Sequence, residues 1–340
     1  MPEENIVGFL KSLGKKAETV EYLKWKPLTK DIRILSIPLY NDDSLLLIDT
    51  PNAFIINQND SKPQQSQWKL LKSFLDKYCP ASKKRILLSS YSPASPVNSF
   101  LRNTERVSMK EKKDYVKYVC VNCQFLGIDY FMPFASQAIF YRSDSDWANS
   151  FKVTYDDLAA NWTAKARLLP PYSTIDLQSL VCSFKPVSDY NHSPEEYIRK
   201  ARVYEEKDKE AVINDTDLEK LRKKMNRNSA LFCMLFPKGF SFDLGNSFIY
   251  YNPWTRKIIQ SPEKKLGHFC LVIPRQALKD VLEFDHFGDL GITMFTLIIL
   301  NKSTSPKMVY VFFMLVTMQD YKHTDSLKNF RSWMSQNLAV

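Results

Sequence analysis

Between residues 32 and 135, short apolar runs alternate with amphipathic stretches, and this rhythm restricts the fold more than any other feature. IRILSIP (32–38), SLLLID (44–49) and NAFIIN (52–57) have the length and content of strands. Thr50-Pro51-Asn52 reads as the turn of a hairpin between the last two. QSQWKLLKSFLDKYC (65–79) changes period: Trp68, Leu71, Phe74, Leu75 and Tyr78 fall on one helical face. RILLSS (85–90) is again a strand, and RVSMKEKKDYVKYVCVNCQFLG (106–127) is a second helix stopped by Gly127. DYFMPFA (129–135) closes the series as a strand. Such alternation points to an α/β, or layered α+β, domain. The opening 23 residues also carry a helical pattern, through Ile6, Phe9, Leu10 and Leu13.

The pattern changes after residue 182. Residues 183–212 turn strongly charged and read as an exposed helical linker. Residues 213–340 read as a small, mostly antiparallel α+β region. It opens with a helix at 215–228, followed by strands at ALFCMLF (230–236), FSFDL, SFIYYN, KIIQ and HFCLVIP. Helices near 305–320 and 325–336 close it. The expected domains are therefore 1–182, a linker at 183–212, and 213–340. ITMFTLIIL (292–300) and MVYVFFMLVTM (308–318) are the most hydrophobic runs. Both fall short of the ~18–20 residues that span a bilayer, so they read as a buried strand and a buried helix, and no transmembrane segment is expected.

The formal net charge is +10. From Lys62 to Lys117, 13 basic residues stand against 4 acidic ones, a local +9, which suits a small anionic substrate. The same lysines, among them Lys69, Lys72, Lys83, Lys110 and Lys113, also suit solvated faces. Basic and aromatic residues do not alternate on one surface, so nucleic acid is not expected. The chain has only 8 glycines and neither GxGxxG nor GxxxxGK[ST], which excludes those phosphate cradles. The segment MPEENIVGFLKSLGKK has no apolar signal core. A cytoplasmic location and reduced thiols are expected on that ground. Cys120 and Cys123 form a lone CxxC without a second pair or histidines at ligand spacing, which reads as two core cysteines on a helix. No GxSxG elbow marks a serine hydrolase.

Four stretches, taken in order, carry a resemblance. SLLLIDTPNAFIINQND closes a hairpin on Asp60, and RILLSSYSPASPVNSF follows a helix. FMPFASQAIFYRSDSDWAN follows the next helix, and LLPPYSTIDL (168–177) comes soon after. Together they resemble the later half of a metallo-β-lactamase-fold domain, closest to the CMP-N-acetylneuraminate hydroxylase-like domain, over residues 1–180. The resemblance implies a partial αββα module and a parent that hydrolyses or oxygenates an anionic substrate, such as a nucleotide sugar or sugar acid. It also implies a divalent metal (zinc, iron or manganese) in the parent family, with Asp60 at the position that bridges two ions. Read locally, Asp60 is equally a turn residue before Ser61-Lys62-Pro63.

The family's HxHxDH run is absent. The four histidines, His192, His268, His286 and His323, all follow the module, and no Rieske Cys–His pairs occur. A lone Asp cannot hold a dinuclear centre, so the chain alone is not expected to be a competent metallohydrolase. It would then be a fragment or a degenerate member. A non-catalytic binding protein on the same scaffold is the alternative. Ser92, Arg142, Asp144 and Asn149 are candidate substrate-binding residues, with Arg142 able to read a carboxylate or phosphate through two bonds. The segment SDSDWAN also fits a plain turn in which Ser143, Asp144 and Asn149 satisfy their own backbone and Trp147 anchors in the core. A half module would leave Leu46, Ile48, Ile55 and Leu87 in need of cover. That cover would come from residues 212–340, from a partner chain supplying the missing half, or from a homodimer.

Overall fold

The alternation between residues 32 and 135 builds one seven-stranded sheet. β1 (Lys26–Pro27), β2 (Arg33–Pro38), β3 (Ser44–Asp49) and β4 (Ala53–Asn59) run antiparallel to one another. β5 (Lys84–Ser89), β8 (Tyr130–Pro133) and β9 (Arg167–Leu168) continue it in parallel. The structure is a computed structural model that describes residues 6–39, 44–61, 63, 65–92, 99–107, 110–135, 138–184, 194–293 and 295–320.

Side chains alternate across the sheet, as the strand period requires. Leu35, Ile37, Leu45, Leu47, Phe54, Ile56 and Leu87 are buried. The helices α2 (Gln65–Tyr78) and α3 (Lys112–Leu126) share this core through Trp68, Leu71, Leu75, Val116 and Val119. Cys120 and Cys123 are buried there too. Burial pushes the Cys123 thiol pKa upward, as in an apolar site with no nearby cation. Gly127 ends α3 at φ +65, the left-handed cap its sequence suggested. Of the four residues expected to need cover, Leu87 is buried, while Leu46, Ile48 and Ile55 are half-buried.

Several elements differ from expectation. The opening helix is confined to α1 (Ile6–Ser12) and buries no residue. The helix expected from residue 106 begins at 112. Before it, β6 (Phe100–Arg102) and β7 (Glu105–Val107) form a tight hairpin. Asn103 and Thr104, at φ 51 and 71, make its turn; lacking the usual Asn-Gly signature, it is easily missed.

That hairpin also crosses the expected domain boundary. It joins a second seven-stranded sheet whose order is β14–β13–β12–β15–β16–β6–β7. The other members are β12 (Phe240–Asp243), β13 (Phe248–Asn252), β14 (Lys257–Ser261), β15 (Phe269–Val272) and β16 (Leu297–Leu300). Most neighbours are antiparallel, as expected, but β12 with β15 and β16 with β6 are parallel. A small ribbon, β10 (Ser173–Ile175) with β11 (Cys182–Phe184), lies apart from both sheets.

The helices α6 (Asp215–Asn226), α7 (Ser229–Leu235), α8 (Arg275–Glu283) and α9 (Pro306–Asp320) contribute to the second core. Its centre is aromatic. Phe312 of α9 lies 5.0 Å from Phe240 and 5.2 Å from Phe269, ring to ring, both edge-on. The stretch ALFCMLF is helical, not a strand. Phe232 and Phe236, one turn apart, both enter this core, whereas Met234 is exposed; a strand would have put all three on one face. Within the run at 292–300 the strand spans Leu297–Leu300, and residues 287–291 before the run form a 3-10 turn. The helix expected at 325–336 lies outside the described residues. Among the described residues, no helix is long and apolar enough to cross a membrane.

Candidate functional site

β4, β5 and β8 are parallel, so their carboxyl ends share one edge. There Ser90 N–H donates to Asn59 O (2.8 Å) and Phe134 N–H donates to Ser89 O (3.0 Å). β4 ends in an irregularity between Asn57 and Asn59. Asn57 Oδ1 accepts from Asn59 N–H (3.1 Å), and Asn59 takes φ +54, a conformation Asn tolerates better than most residues. Asp60 follows, exposed, and accepts from Asn59 Nδ2 at 2.8 Å. Ser92 is buried in the loop after β5, where its Oγ accepts from Val153 N–H at 2.8 Å. This bond ties that loop to the segment entering α4 (Tyr155–Ala160). Asp60 and the loops after β5 and β8 therefore lie on one side of the sheet. Ser136 lies outside the described residues. A cavity of about 490 Å3 opens nearby, lined by Met132, Pro133, Phe134, Ala135, Ala138 and Tyr172 among others, with no formal charge among the described residues of its wall.

Lys69, Lys72, Lys83, Lys110 and Lys113 do not line the cavity at this edge. Lys69, Lys110 and Lys113 are exposed, Lys72 pairs with Asp76 at 2.5 Å, and Lys83 pairs with Asp49 at 2.5 Å. Asp49 ends β3, which runs opposite to β4, so that last pair sits on the far edge.

The segment 140–149 is held by its own polar groups. Asn149 clamps one residue at two points: its Oδ1 accepts from Phe140 N–H (3.0 Å) and its Nδ2 donates to Phe140 O (2.7 Å). Trp147 Nε1 donates to Asp144 O (3.0 Å), and the Arg106 guanidinium of β7 lies 3.7 Å from the Trp147 ring centroid. Asn149→Ala should remove about 1–3 kcal/mol, the worth of two partly buried bonds, measured by urea unfolding. A loss below a few tenths of a kcal/mol would show the clamp to be dispensable.

Arg142 is engaged by the protein itself. It binds Asp144 through Nε (2.9 Å) and Nη2 (2.7 Å), and Nη2 also pairs with Asp208 at 2.6 Å. The bond to Asp144, with help from Asp208, raises its pKa despite burial. Asp208 belongs to α5 (Pro194–Glu210), the charged helix expected after 183, of which Ala201 is the buried residue. Two further contacts join α5 to this loop. Ser143 N–H and Oγ donate to the two oxygens of Glu205, each at 2.7 Å, and Tyr141 stacks on Tyr197 with ring centroids 5.6 Å apart. Burial pushes the Glu205 carboxyl up, but the two Ser143 bonds and the charges of Arg142 and Lys209 outweigh it, and the net shift is down.

Loop and helix together form one wall of a second cavity, of about 330 Å3, whose other wall comes from the second sheet. Asp144, Glu205, Asp208, Lys209 and Arg275 all reach it, although they are distant in sequence. Local spacing could bring out Arg142 and Asp144 but had no means of adding Glu205, Asp208, Lys209 and Arg275.

Among the described residues, the donors do not gather into a metal centre. Asp60 has an amide neighbour and, among the described residues, no cluster of three or more His, Cys, Asp or Glu side chains could hold an ion. His268 lies in the second region with Nδ1 3.3 Å from Thr304 Oγ1. His192 and His323 are outside the described residues. Comparison with protein-family models, curated proteins and solved structures finds no match.

Proposed function

We propose that this chain is a partial or degenerate member of the metallo-β-lactamase-fold superfamily, related to a parent that acts on an anionic substrate, and that by itself it binds rather than transforms a ligand. The observation that carries this proposal is the position of Asp60. It lies at the carboxyl end of β4, beside the loops after β5 and β8, in the order the resemblance requires. A single exposed carboxylate leaves the metal and its chemistry to groups this sequence does not contain. The substrate class remains a small anion, and a partner chain bearing the histidine motif would complete the centre.

Metal analysis tests the proposal. After incubation with zinc, iron or manganese and gel filtration, the purified chain should keep only substoichiometric metal, and Asp60→Asn should leave that amount unchanged. A tightly held equivalent that Asp60→Asn abolishes would overturn the binding-only role. A non-catalytic role has separate support in the loop itself, since Arg142, Asp144 and Asn149 spend their polar atoms on holding its conformation.

A further inference from the structure

The cavity between the two regions carries an inference that does not depend on the metallo-β-lactamase resemblance. It opens at the carboxyl ends of the parallel pair β12 and β15, where Asp243 pairs with Val272 and the chain continues into Leu244 and Ile273. Ligands of α/β sheets collect at such ends, where loops diverge. Gly245, at φ +83, lets the chain turn there, and its N–H donates to Asp243 Oδ1 at 2.9 Å. At about 330 Å3 the cavity falls in the range of small-molecule sites.

The balance of charges selects the ligand. Three carboxylates and three cations line the cavity: Asp144, Glu205 and Asp208 against Arg142, Lys209 and Arg275. The carboxylates already have partners, Asp144 and Asp208 on Arg142 and Glu205 on Ser143. Arg275 and Lys209 form no ion pair among the described residues, and Arg275 is half-buried at the start of α8. Apart from Ser143 and Asn246, the side chains in the rest of the wall are apolar, among them Leu244, Val272, Phe295 and Leu297, with the Arg142 guanidinium 5.1 Å from the Phe295 ring centroid. Arg275, and Lys209 beyond its longer-range pull on Glu205, attract an anion, while three carboxylates nearby disfavour a dianion such as phosphate.

We infer that this cavity binds a small monocarboxylate with a compact apolar body, its carboxylate on Arg275 and Lys209 and its body against Phe295 and Leu297.

Calorimetric titration of the full chain tests this with three probes: 3-phenylpropionate, its neutral amide, and inorganic phosphate. The carboxylate should saturate one site per chain. The amide should bind roughly tenfold or more weakly, the share of a charge-assisted bond. Arg275→Gln should bring the carboxylate down to the level of the amide and leave the amide unchanged. Lys209→Gln should cause a smaller loss. Lys223→Gln, on an exposed part of α6, should cause none. All three substitutions lie away from the core, and thermal melts would confirm that each variant folds. Equal binding of amide and carboxylate, tighter binding of phosphate, insensitivity to Arg275→Gln, or no saturable binding of any probe would each overturn the assignment.

Discussion

Phe100→Ala should cost about 3–5 kcal/mol and weaken the second sheet, although Phe100 belongs to the stretch between two strands of the first. The side chain is buried, pairs in register with Ile298 of β16, and lies 5.9 Å from the Tyr310 ring. Removing it leaves a hole among Phe and Leu side chains that a seven-stranded sheet packed under α9 cannot easily close. Native-state hydrogen exchange provides the measurement. Amides of β15 and β16 should lose protection by the full amount, and β6 and β7 with them. If β15 and β16 keep their protection to within about 1 kcal/mol, the hairpin is an ornament on the sheet rather than part of it. The result also decides whether the two regions unfold together, because the same hairpin reaches back through Arg106 to Trp147.

Lys224→Ala should be comparably severe, about 3–5 kcal/mol at neutral pH, because it strands a buried carboxylate. Lys224 and Asp320 form an ion pair in which the side chains are only 4% and 2% exposed, and Lys224 also pairs with the more exposed Asp285 at 2.6 Å. Asp320 further accepts from Gly288 N–H at 2.7 Å, so α6, α9 and the 287–291 turn meet at one carboxylate. Burial pushes the Asp320 pKa up, and the Lys224 bond is the chief force holding it down. Without the lysine it must rise further. Between the ordinary carboxylate value and that raised value, the folded protein holds a proton that the unfolded chain releases. Stability therefore falls as pH rises through this window and recovers on acidification. Urea unfolding at pH 7 and near pH 4.5 should show the variant's deficit shrinking at the lower pH. An equal deficit at both would mean that the damage is lost packing and not a stranded charge.

Much of the first sheet was legible in the sequence. Its strands are short apolar runs, its helices repeat every three to four residues, and Gly127 and the Thr50–Asn52 turn mark their own boundaries. These are local signals with a local physical cause. ALFCMLF failed because an apolar run of seven has no clear period, and the core it enters decided the matter through Phe232 and Phe236. The candidate edge was partly legible, since parallel strands must end together and bring Asp60 beside the loops after β5 and β8.

The charged cavity was not legible beyond Arg142 and Asp144. Its remaining residues are assembled by pairings across more than 60 positions, and no pattern in a single chain records which distant carboxylate will meet a given guanidinium. By itself the sequence determined the periods, the turns and the layered class, because backbone sterics and side-chain burial act between near neighbours. Only the tertiary structure decided that the 100–107 hairpin serves the second sheet, that Arg142 is spent on Asp144 and Asp208, and that Arg275 is left facing a cavity. These outcomes depend on which surfaces come together, and burial and electrostatics act there between residues the chain keeps far apart.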